Sequence, residues 1–433
     1  MQQSIERNRH KKQRAFWVDK NSLYEYVVAL LFVLTTGTMV WFHVLGAAKS
    51  FILLLFVSLY VFYKRRQQIP YSYSLVYCVF CTIYSLLNIY FINRSAIVEN
   101  VCIGYIVVSF SCLIIIGTRN LFDFRDRLTV ILAFINGWGL IVYYLYTIGV
   151  MDSFCVIKDY PTKTYTICMG ISIGWPYPFE RYAGVWHEPG AGQISSMFLL
   201  ILHFREIILW KWKGNKQKIS VLILLLSILA SKSTTSYLLL MCFVLFIALY
   251  VGENKKKGYF KLVLKIILVV LGFVVAAFVF NSDVIQDKLF SSESVSKETR
   301  TLENITLLGI FIDNPIFGAG LGTSNQWYDL NRFDAAGCSN GLLFFASGLG
   351  LVWVIAFFTC LLKSVWKMGR IAPIPMVLII YLVEICSQRY MEMPITFLFL
   401  FSFGSYRIPM YLRDKTMGNM ERYIKISKLK FKT

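Results

Sequence analysis

The chain has 433 residues, of which 57% are hydrophobic and 16% are charged, whereas about a quarter of the residues in a typical soluble protein are charged. The apolar residues form long runs separated by short basic clusters, a pattern that excludes an ordinary soluble protein and indicates a polytopic membrane protein. The net charge of +20 comes from the basic clusters, so it indicates membrane topology and contact with anionic lipid rather than nucleic-acid binding.

The apolar runs predict an all-α polytopic membrane protein with about twelve transmembrane helices within residues 24–406. Most runs reach the ~20 residues that cross a hydrocarbon core of ~30 Å. The predicted spans are 24–44, 48–63, 71–92, 98–117, 128–149, 191–210, 219–234, 235–252, 262–280, 341–362, 371–387 and 394–406. The first span is expected to be retained, because it is longer than the apolar core of a signal peptide and lacks an Ala-x-Ala cleavage site.

Basic residues occur in alternate connections between the predicted spans. Of the 44 Lys and Arg residues, 32 fall in the segments that twelve spans place on one side of the membrane. By the positive-inside rule this side is the cytoplasm, so both termini are predicted to be cytoplasmic. The N-terminal segment 1–23 and the tail 407–433 are both basic, and the tail could lie on the membrane surface or stay unstructured.

Two long polar loops, 150–190 and 281–340, are predicted on the extracytoplasmic side. Both are rich in Trp, Tyr, Phe, Pro and Gly, which argues against disorder, and loops of this length are usually functional when ordered. Cys155 and Cys168 in the first loop could form a disulfide in an oxidising compartment. No Cys or His spacing typical of a zinc or haem site occurs, so neither a metal nor another cofactor is predicted.

The segment from Arg181 to Gly192 contains the candidate catalytic residues Arg181, His187 and Glu188. A guanidinium group matches two phosphate oxygens, and a His or a Glu in a dry site can take a proton from a hydroxyl nucleophile. Glu188 could instead serve only to favour the helix that is predicted to begin after it, since a negative charge is stabilising at a helix N-terminus.

Aromatic residues within this first loop are candidate sugar-binding residues. Tyr182 and Trp186 offer flat faces on which a sugar ring could stack. They could equally belong to the aromatic belt that many membrane proteins place at the lipid–water interface.

A second polar region, Ser231–Ser236, lies between two predicted spans and contains the candidate substrate-binding residues Lys232 and Ser233. An ionisable residue at this depth is costly unless it faces a cavity or a partner. The alternative is a tight outer turn from which the Lys232 side chain reaches the water.

A third region begins with a glycine-rich string at Asn314–Gly322 and ends at the start of the next predicted span. Its candidate substrate-binding residues are Arg300, Gly318, Gly320, Arg332, Ser339 and Asn340. A nucleotide-binding loop is excluded, because no parallel-strand pattern precedes the glycines and they are predicted to lie outside the cytoplasm. The glycines are expected to permit a tight turn or the close approach of a ligand to the backbone.

These three regions, in this order on a twelve-span frame, resemble the bacterial O-antigen polymerase and O-antigen ligase superfamily. The matching residues are Arg181, Gly184 and Glu188–Gly190, then Ser231–Ser236, then Asn314–Gly320, Ser339–Asn340 and Gly348–Gly350. The spacing of Arg181 and Gly192 also resembles an Arg-x10-Gly pattern of the polymerases. The ligases have a His where this chain has Ser339, and this difference favours a polymerase.

The resemblance implies a glycosyltransferase of O-antigen or capsule synthesis in the bacterial cytoplasmic (inner) membrane. It would move a growing glycan from undecaprenyl pyrophosphate to the terminal sugar hydroxyl of a lipid-linked repeat unit on the outer face, with Arg181 binding the pyrophosphate. A chain-length regulator is an expected protein partner, and no nucleic acid is. The alternatives are a ligase that transfers glycan to a lipid or protein, and a flippase for lipid-linked oligosaccharide.

Overall fold

A computed structural model of the chain describes residues 20–36, 38, 46–65, 73–92, 96–117, 121–150, 152–160, 163–169, 171–173, 182–186, 189–250, 263, 266, 270, 295–321, 340–369, 371–388 and 393–401. Most of these residues are helical. The helices are α1 (Lys20–Leu34), α2 (Gly46–Arg65), α3 (Tyr73–Leu87), α4 (Ala96–Gly117), α5 (Leu121–Thr147), α6 (Pro189–Leu202), α7 (Phe204–Leu209), α8 (Asn215–Ala230), α9 (Thr234–Tyr250), α10 (Val295–Asp313), α11 (Gly341–Met368), α12 (Ile374–Ser387) and α13 (Pro394–Phe401). A π-helical turn, Asn88–Ile92, continues α3.

Three of the described helices are long and apolar enough to cross a membrane by length and composition. They are Tyr73–Phe91, Leu121–Thr147 and Gly341–Met368. Five shorter apolar helices, of 10–17 residues, are Leu23–Leu34, Cys102–Gly117, Pro189–Leu202, Thr234–Tyr250 and Ile374–Ser387. The prediction of a helical membrane protein is therefore confirmed, whereas the number of twelve spans stays a prediction, and span 262–280 lies outside the described residues except at three helical positions.

The helices are apolar on their outer faces as well as inside the bundle. Phe56 and Tyr63 on α2 are 66% and 69% exposed, and Phe134 on α5 is 76% exposed. A water-soluble bundle would place polar side chains at such positions, so these faces are suited to contact with lipid.

One continuous apolar core runs from α1 to α13. Two short helices lie at its centre: every residue of α13 is buried, and so are twelve of the fourteen residues of α6. Phe198 of α6 packs between the rings of Tyr381 and Phe399, at centroid distances of 5.5 and 4.5 Å. Helix α6 therefore lies inside the bundle, surrounded by α8, α9, α12 and α13.

The prediction of an all-α chain needs one correction, because the first outer loop contains a β-sheet. Its strands, β1 (Cys155–Tyr160), β2 (Lys163–Cys168), β3 (Ile171–Ile173) and β4 (Tyr182–Gly184), pair in sequence order as an antiparallel meander. Strands of three to six residues are too short to appear as apolar runs, although their β-branched and aromatic residues favour a pleated sheet.

The hairpin of β1 and β2 aligns the two cysteines that were predicted as a disulfide pair. Cys155 lies directly opposite Cys168 in the register, and the disulfide stays a prediction. Cys168 is completely buried beside Val142, so the hairpin is packed against the end of α5.

The predicted span 191–210 is broken into two helices at His203. The carbonyl of Leu202, which would continue the helical hydrogen-bond ladder, accepts a bond of 2.7 Å from Nη1 of Arg125. The chain then forms the single short helix α7, which ends at Trp210 in the left-handed conformation (φ 51°). A side chain from another helix therefore fixes where α6 ends, and no local sequence pattern reports this.

The second predicted loop, 281–340, also contains regular structure. Helix α10 occupies Val295–Asp313 and packs against α11. Its exposed positions include the apolar residues Ile305 and Ile312 beside charged ones. The mixed composition of α10 explains why it gives no apolar run.

Candidate functional site

The three candidate catalytic residues, Arg181, His187 and Glu188, lie outside the described residues. Their neighbours in the chain are described on both sides, namely β4 with the turn that follows it, and the start of α6 at Pro189. These neighbours show where the segment that carries the candidate chemistry is anchored.

Strand β4 enters the helical bundle instead of lying on its surface. Tyr182 and Ala183 are 4% and 2% exposed. The hydroxyl of Tyr182 donates to the backbone oxygen and to Oδ1 of Asn136, both at 3.2 Å. Asn136 lies fifteen residues beyond Leu121 in α5, about 22 Å along a helix of 1.5 Å rise per residue. Strand β4 therefore reaches the middle of α5 inside the bundle.

Trp186 anchors the segment on its other side. Its indole is completely buried, and Nε1 donates to the backbone oxygen of Thr36 at 3.0 Å. A Cβ on Gly192 would lie only 2.8 Å from Cε3 of this indole, so the ring packs directly on the backbone of α6. Since no face of the indole is exposed, a sugar could stack on it only if the segment moved.

A network of small polar side chains lies beneath Tyr182. Nδ2 of Asn136 donates to Oγ of Ser196 and to Oγ of Ser227, each at 3.1 Å, and these two hydroxyls are 3.2 Å apart. The network joins α5, α6 and α8 to β4. It satisfies polar groups that would otherwise be stranded in an apolar bundle.

A carboxylate that the sequence pattern did not assign to the site lies on the other side of α6. Glu384, in the last turn of α12, is completely buried and accepts a hydrogen bond of 3.2 Å from Nε2 of Gln193. Gln193 lies one helical turn after Pro189. The only sequence signal for this pair was a single acidic residue inside an apolar run, which is functional by default in a membrane protein.

The second predicted region is a tight turn between α8 and α9. Lys232 is exposed and adopts a left-handed conformation (φ 45°), while Ser233 is half-buried. The hydroxyls of Ser231 and Ser236 are 3.1 Å apart across the turn. The turn that one interpretation predicted is observed, and the substrate-binding role of Lys232 and Ser233 stays a prediction. The turn lies one helical turn beyond Ser227, the serine of α8 in the Asn136 network.

The third predicted region is held by main-chain contacts with α11. Helix α11 is broken at Gly350, which has φ 72° and ψ −174°. The amides of Ala319 and Gly320 donate to the oxygens of Ser347 and Gly348, both at 2.9 Å. The glycine-rich string therefore satisfies carbonyls that the break in α11 exposes.

Main-chain hydrogen bonds also run from amides of α11 to oxygens of the segment that begins at Asn314. The amides of Leu351 and Val352 donate to the oxygens of Pro315 and Ile316, at 2.8 and 3.4 Å. A Cβ on Gly350 would overlap the oxygen of Ile316. The amides of Gly318 and Gly320 are thus both occupied by backbone oxygens, and the close approach expected of these glycines is made by backbone rather than by a ligand.

The remaining predicted residues of the third region are partly described. Arg300 is exposed on α10. Asn340 caps α11, because its Oδ1 accepts from the amide of Leu343 at 3.0 Å, and its Nδ2 donates to Oδ1 of Asn304 at 3.0 Å. Arg332 and Ser339 lie outside the described residues.

At the opposite end of the bundle lies a buried ionic cluster that the sequence pattern did not predict. Arg125 is 1% exposed and pairs with Asp126 at 2.7 Å and with Glu206 at 2.9 Å. Behind it, the completely buried His203 bonds to Thr129 through Nε2 at 2.9 Å. An open cavity of about 260 Å³ lies beside the cluster, between α1, α5 and the start of α8.

Neither a scan against protein-family models nor a search of curated proteins found a match for this chain.

Proposed function

We propose that the protein is a polymerase of oligosaccharide repeat units carried on undecaprenyl pyrophosphate, acting in the synthesis of a surface polysaccharide. The proposal starts from the ordered resemblance of three sequence regions to the O-antigen polymerases and ligases. The membrane-protein architecture with its apolar outer surface is compatible with a lipid-linked substrate.

The single observation that carries the proposal furthest is the burial of the chain between two of its candidate catalytic residues. Arg181 directly precedes the buried Tyr182, and His187 directly follows the buried Trp186. A loop that served only as a connection would run over the surface, since buried backbone must find internal hydrogen bonds. Anchoring at both ends is the arrangement expected of a segment that positions catalytic groups.

The proposed reaction needs a cation for the leaving group and a base for the nucleophile. Arg181 would bind the pyrophosphate of the donor, whose negative charge grows as the glycosidic bond breaks. His187 or Glu188 would take the proton of the attacking hydroxyl.

The test is Arg181→Ala in the cell that makes the polysaccharide. We expect the ladder of long glycan chains to be lost while the variant stays in the membrane at normal abundance. Lys211→Ala, which removes an exposed cation between α7 and α8 with no predicted role in the site, is the control and should keep the ladder. A normal ladder in the Arg181→Ala strain would refute the polymerase proposal.

A flippase for lipid-linked oligosaccharide is a second candidate, and the buried Glu384 favours it. Ionisable groups inside a membrane bundle are typical of transporters. Deletion of the gene distinguishes the two: loss of a flippase leaves single lipid-linked units on the cytoplasmic face, whereas loss of a polymerase leaves them on the outer face. An impermeant glycosidase applied to spheroplasts reports which face carries them.

A further inference from the structure

Two buried side chains between α6 and α12 form an incompletely satisfied polar pair. Nε2 of Gln193 donates to Oε2 of Glu384 at 3.2 Å, and the two residues are 2% and 0% exposed. The second carboxylate oxygen of Glu384, Oε1, and the amide oxygen of Gln193, also Oε1, are both buried with no hydrogen-bond partner among the residues that the structure describes. Both unsatisfied atoms are acceptors, so what the site lacks is a donor.

The chemistry of the pair narrows the class of donor. Buried acceptors without partners are strongly disfavoured, which makes a molecule with an O–H or N–H bond, either a ligand group or a water, the expected occupant. A divalent cation would need six or more oxygens, and the part of the chain that the structure describes contains no cluster of three or more His, Cys, Asp or Glu residues. A hydroxyl group suits the pair, because it can donate to one oxygen and then lose its proton to the carboxylate.

The surroundings place the pair at the mouth of the buried loop. Gln193 lies four residues after Pro189, about 6 Å along α6, and so follows the segment that carries His187 and Glu188. On the far side of the pair, the stacked rings of Phe198 and Tyr381 form an apolar floor.

The ends of α6 and α12 are in direct contact above this floor. A Cβ on Gly190 would lie 2.7 Å from Nε2 of Gln388, so the backbone of α6 touches the residue that ends α12. The Glu384–Gln193 pair therefore has apolar aromatic residues on one side and the contact between Gly190 and Gln388 on the other.

We propose that this pair binds the hydroxyl of the acceptor sugar and that Glu384, rather than His187 or Glu188, takes up its proton, an assignment that rests on the polymerase function proposed above. The hydroxyl oxygen forms a bond to the anomeric carbon of the donor glycan. The bond between that carbon and the pyrophosphate oxygen breaks, and its electron pair leaves with undecaprenyl pyrophosphate. The hydroxyl proton moves to Oε1 of Glu384, which is an anion before the step and a neutral acid after it, and the proton is later released to water.

The test uses the full-length protein in lipid nanodiscs with undecaprenyl-pyrophosphate-linked oligosaccharide extracted from cells that lack this gene. Glu384→Gln, which keeps the shape of the side chain, is expected to lower kcat about 10²-fold or more with KM little changed. Gln193→Leu should instead raise KM about tenfold, because it removes one hydrogen bond to the acceptor. Glu384→Asp should recover part of kcat, and Asp123→Asn, which neutralises an exposed carboxylate on α5, should match the wild type.

A chemical readout keeps the test valid if Glu384→Gln fails to fold. Dicyclohexylcarbodiimide modifies carboxylic acids in apolar surroundings, and we expect it to label Glu384 of the wild-type protein. The same extract should protect Glu384 from labelling. Labelling that the extract leaves unchanged, or a wild-type kcat in Glu384→Gln, would overturn the assignment.

The two proposals fail in different ways. If the polymerase function is wrong, Arg181→Ala cells keep a normal glycan ladder. If only the role of Glu384 is wrong, the ladder is lost in Arg181→Ala cells and stays normal in Glu384→Gln cells.

Discussion

The hydroxyl of Tyr182 lies 3.2 Å from Oδ1 of Asn136, and this contact joins the last strand of an outer loop to the middle of α5. Asn136 uses its amide nitrogen for two serine hydroxyls at the same time. One side chain therefore holds β4, α6 and α8 together, so it sets the position of the loop that carries the candidate chemistry.

Removal of this central amide should loosen the loop. Asn136→Ala leaves the buried hydroxyls of Tyr182, Ser196 and Ser227 with fewer partners, and we expect a loss of about 2 kcal/mol in stability. The midpoint of thermal unfolding of the detergent-purified protein measures it. Ile141→Ala, at a 55% exposed position of the same helix, is the matched control and should change the midpoint little. Equal midpoints for the two variants would show that the network does not stabilise the bundle.

The break in α11 should be intolerant of any side chain. Gly350→Ala introduces a Cβ that overlaps the oxygen of Ile316 at a backbone conformation reserved for glycine, and we expect a loss of about 3 kcal/mol. Gly309→Ala in α10 meets nothing within 4 Å and should be neutral or slightly stabilising, since alanine favours a helix. Membrane abundance and thermal unfolding in detergent report both. A Gly350→Ala variant as stable as Gly309→Ala would contradict the close main-chain contact between the break in α11 and the glycine-rich string.

The ionic cluster at the opposite end of the bundle should be needed for folding. Arg125→Met leaves the partly buried carboxylate of Glu206 without its cation and leaves that of Asp126 with only the exposed Lys213, 2.7 Å away. It also removes the donor to the oxygen of Leu202, so we expect a loss of about 3 kcal/mol or more. Breaking the exposed pair of Lys213 and Asp123, 3.7 Å apart, with Asp123→Asn should cost less than about 0.5 kcal/mol. Chemical denaturation of the two purified variants measures both effects. Comparable losses would mean that burial does not strengthen the cluster.

His187 and Glu384 are competing candidates for the base, and a variant of His187 distinguishes them. If His187 takes a proton from the acceptor, His187→Ala lowers the rate of glycan elongation about 10²-fold or more while the protein stays folded. His10→Ala, in the basic N-terminal segment, is the matched histidine control and should elongate normally. An unchanged rate in His187→Ala would assign the proton to another group, and the Glu384 variants then show whether that group is the buried carboxylate.

Much of the helical frame was predictable because lipid and protein interior are both apolar. The residues of α5 and α11 form runs that remain apolar whichever way a side chain points, so hydropathy alone located these helices. The β-meander and α10 were not predictable in this way, because their short or mixed segments carry no continuous apolar signal.

For the candidate site, the sequence by itself determined the order of residue types along the chain. It places Arg181, His187 and Glu188 together, and the glycines at 318, 320 and 350 where the backbone must be permissive. The tertiary structure decided which groups meet: Gly318 and Gly320 use their amides on backbone oxygens, Lys232 occupies an exposed turn, and Glu384 faces Gln193 from 191 residues away. Hydrogen bonds between distant residues depend on how the helices pack, and packing is a property of the whole bundle rather than of any local pattern.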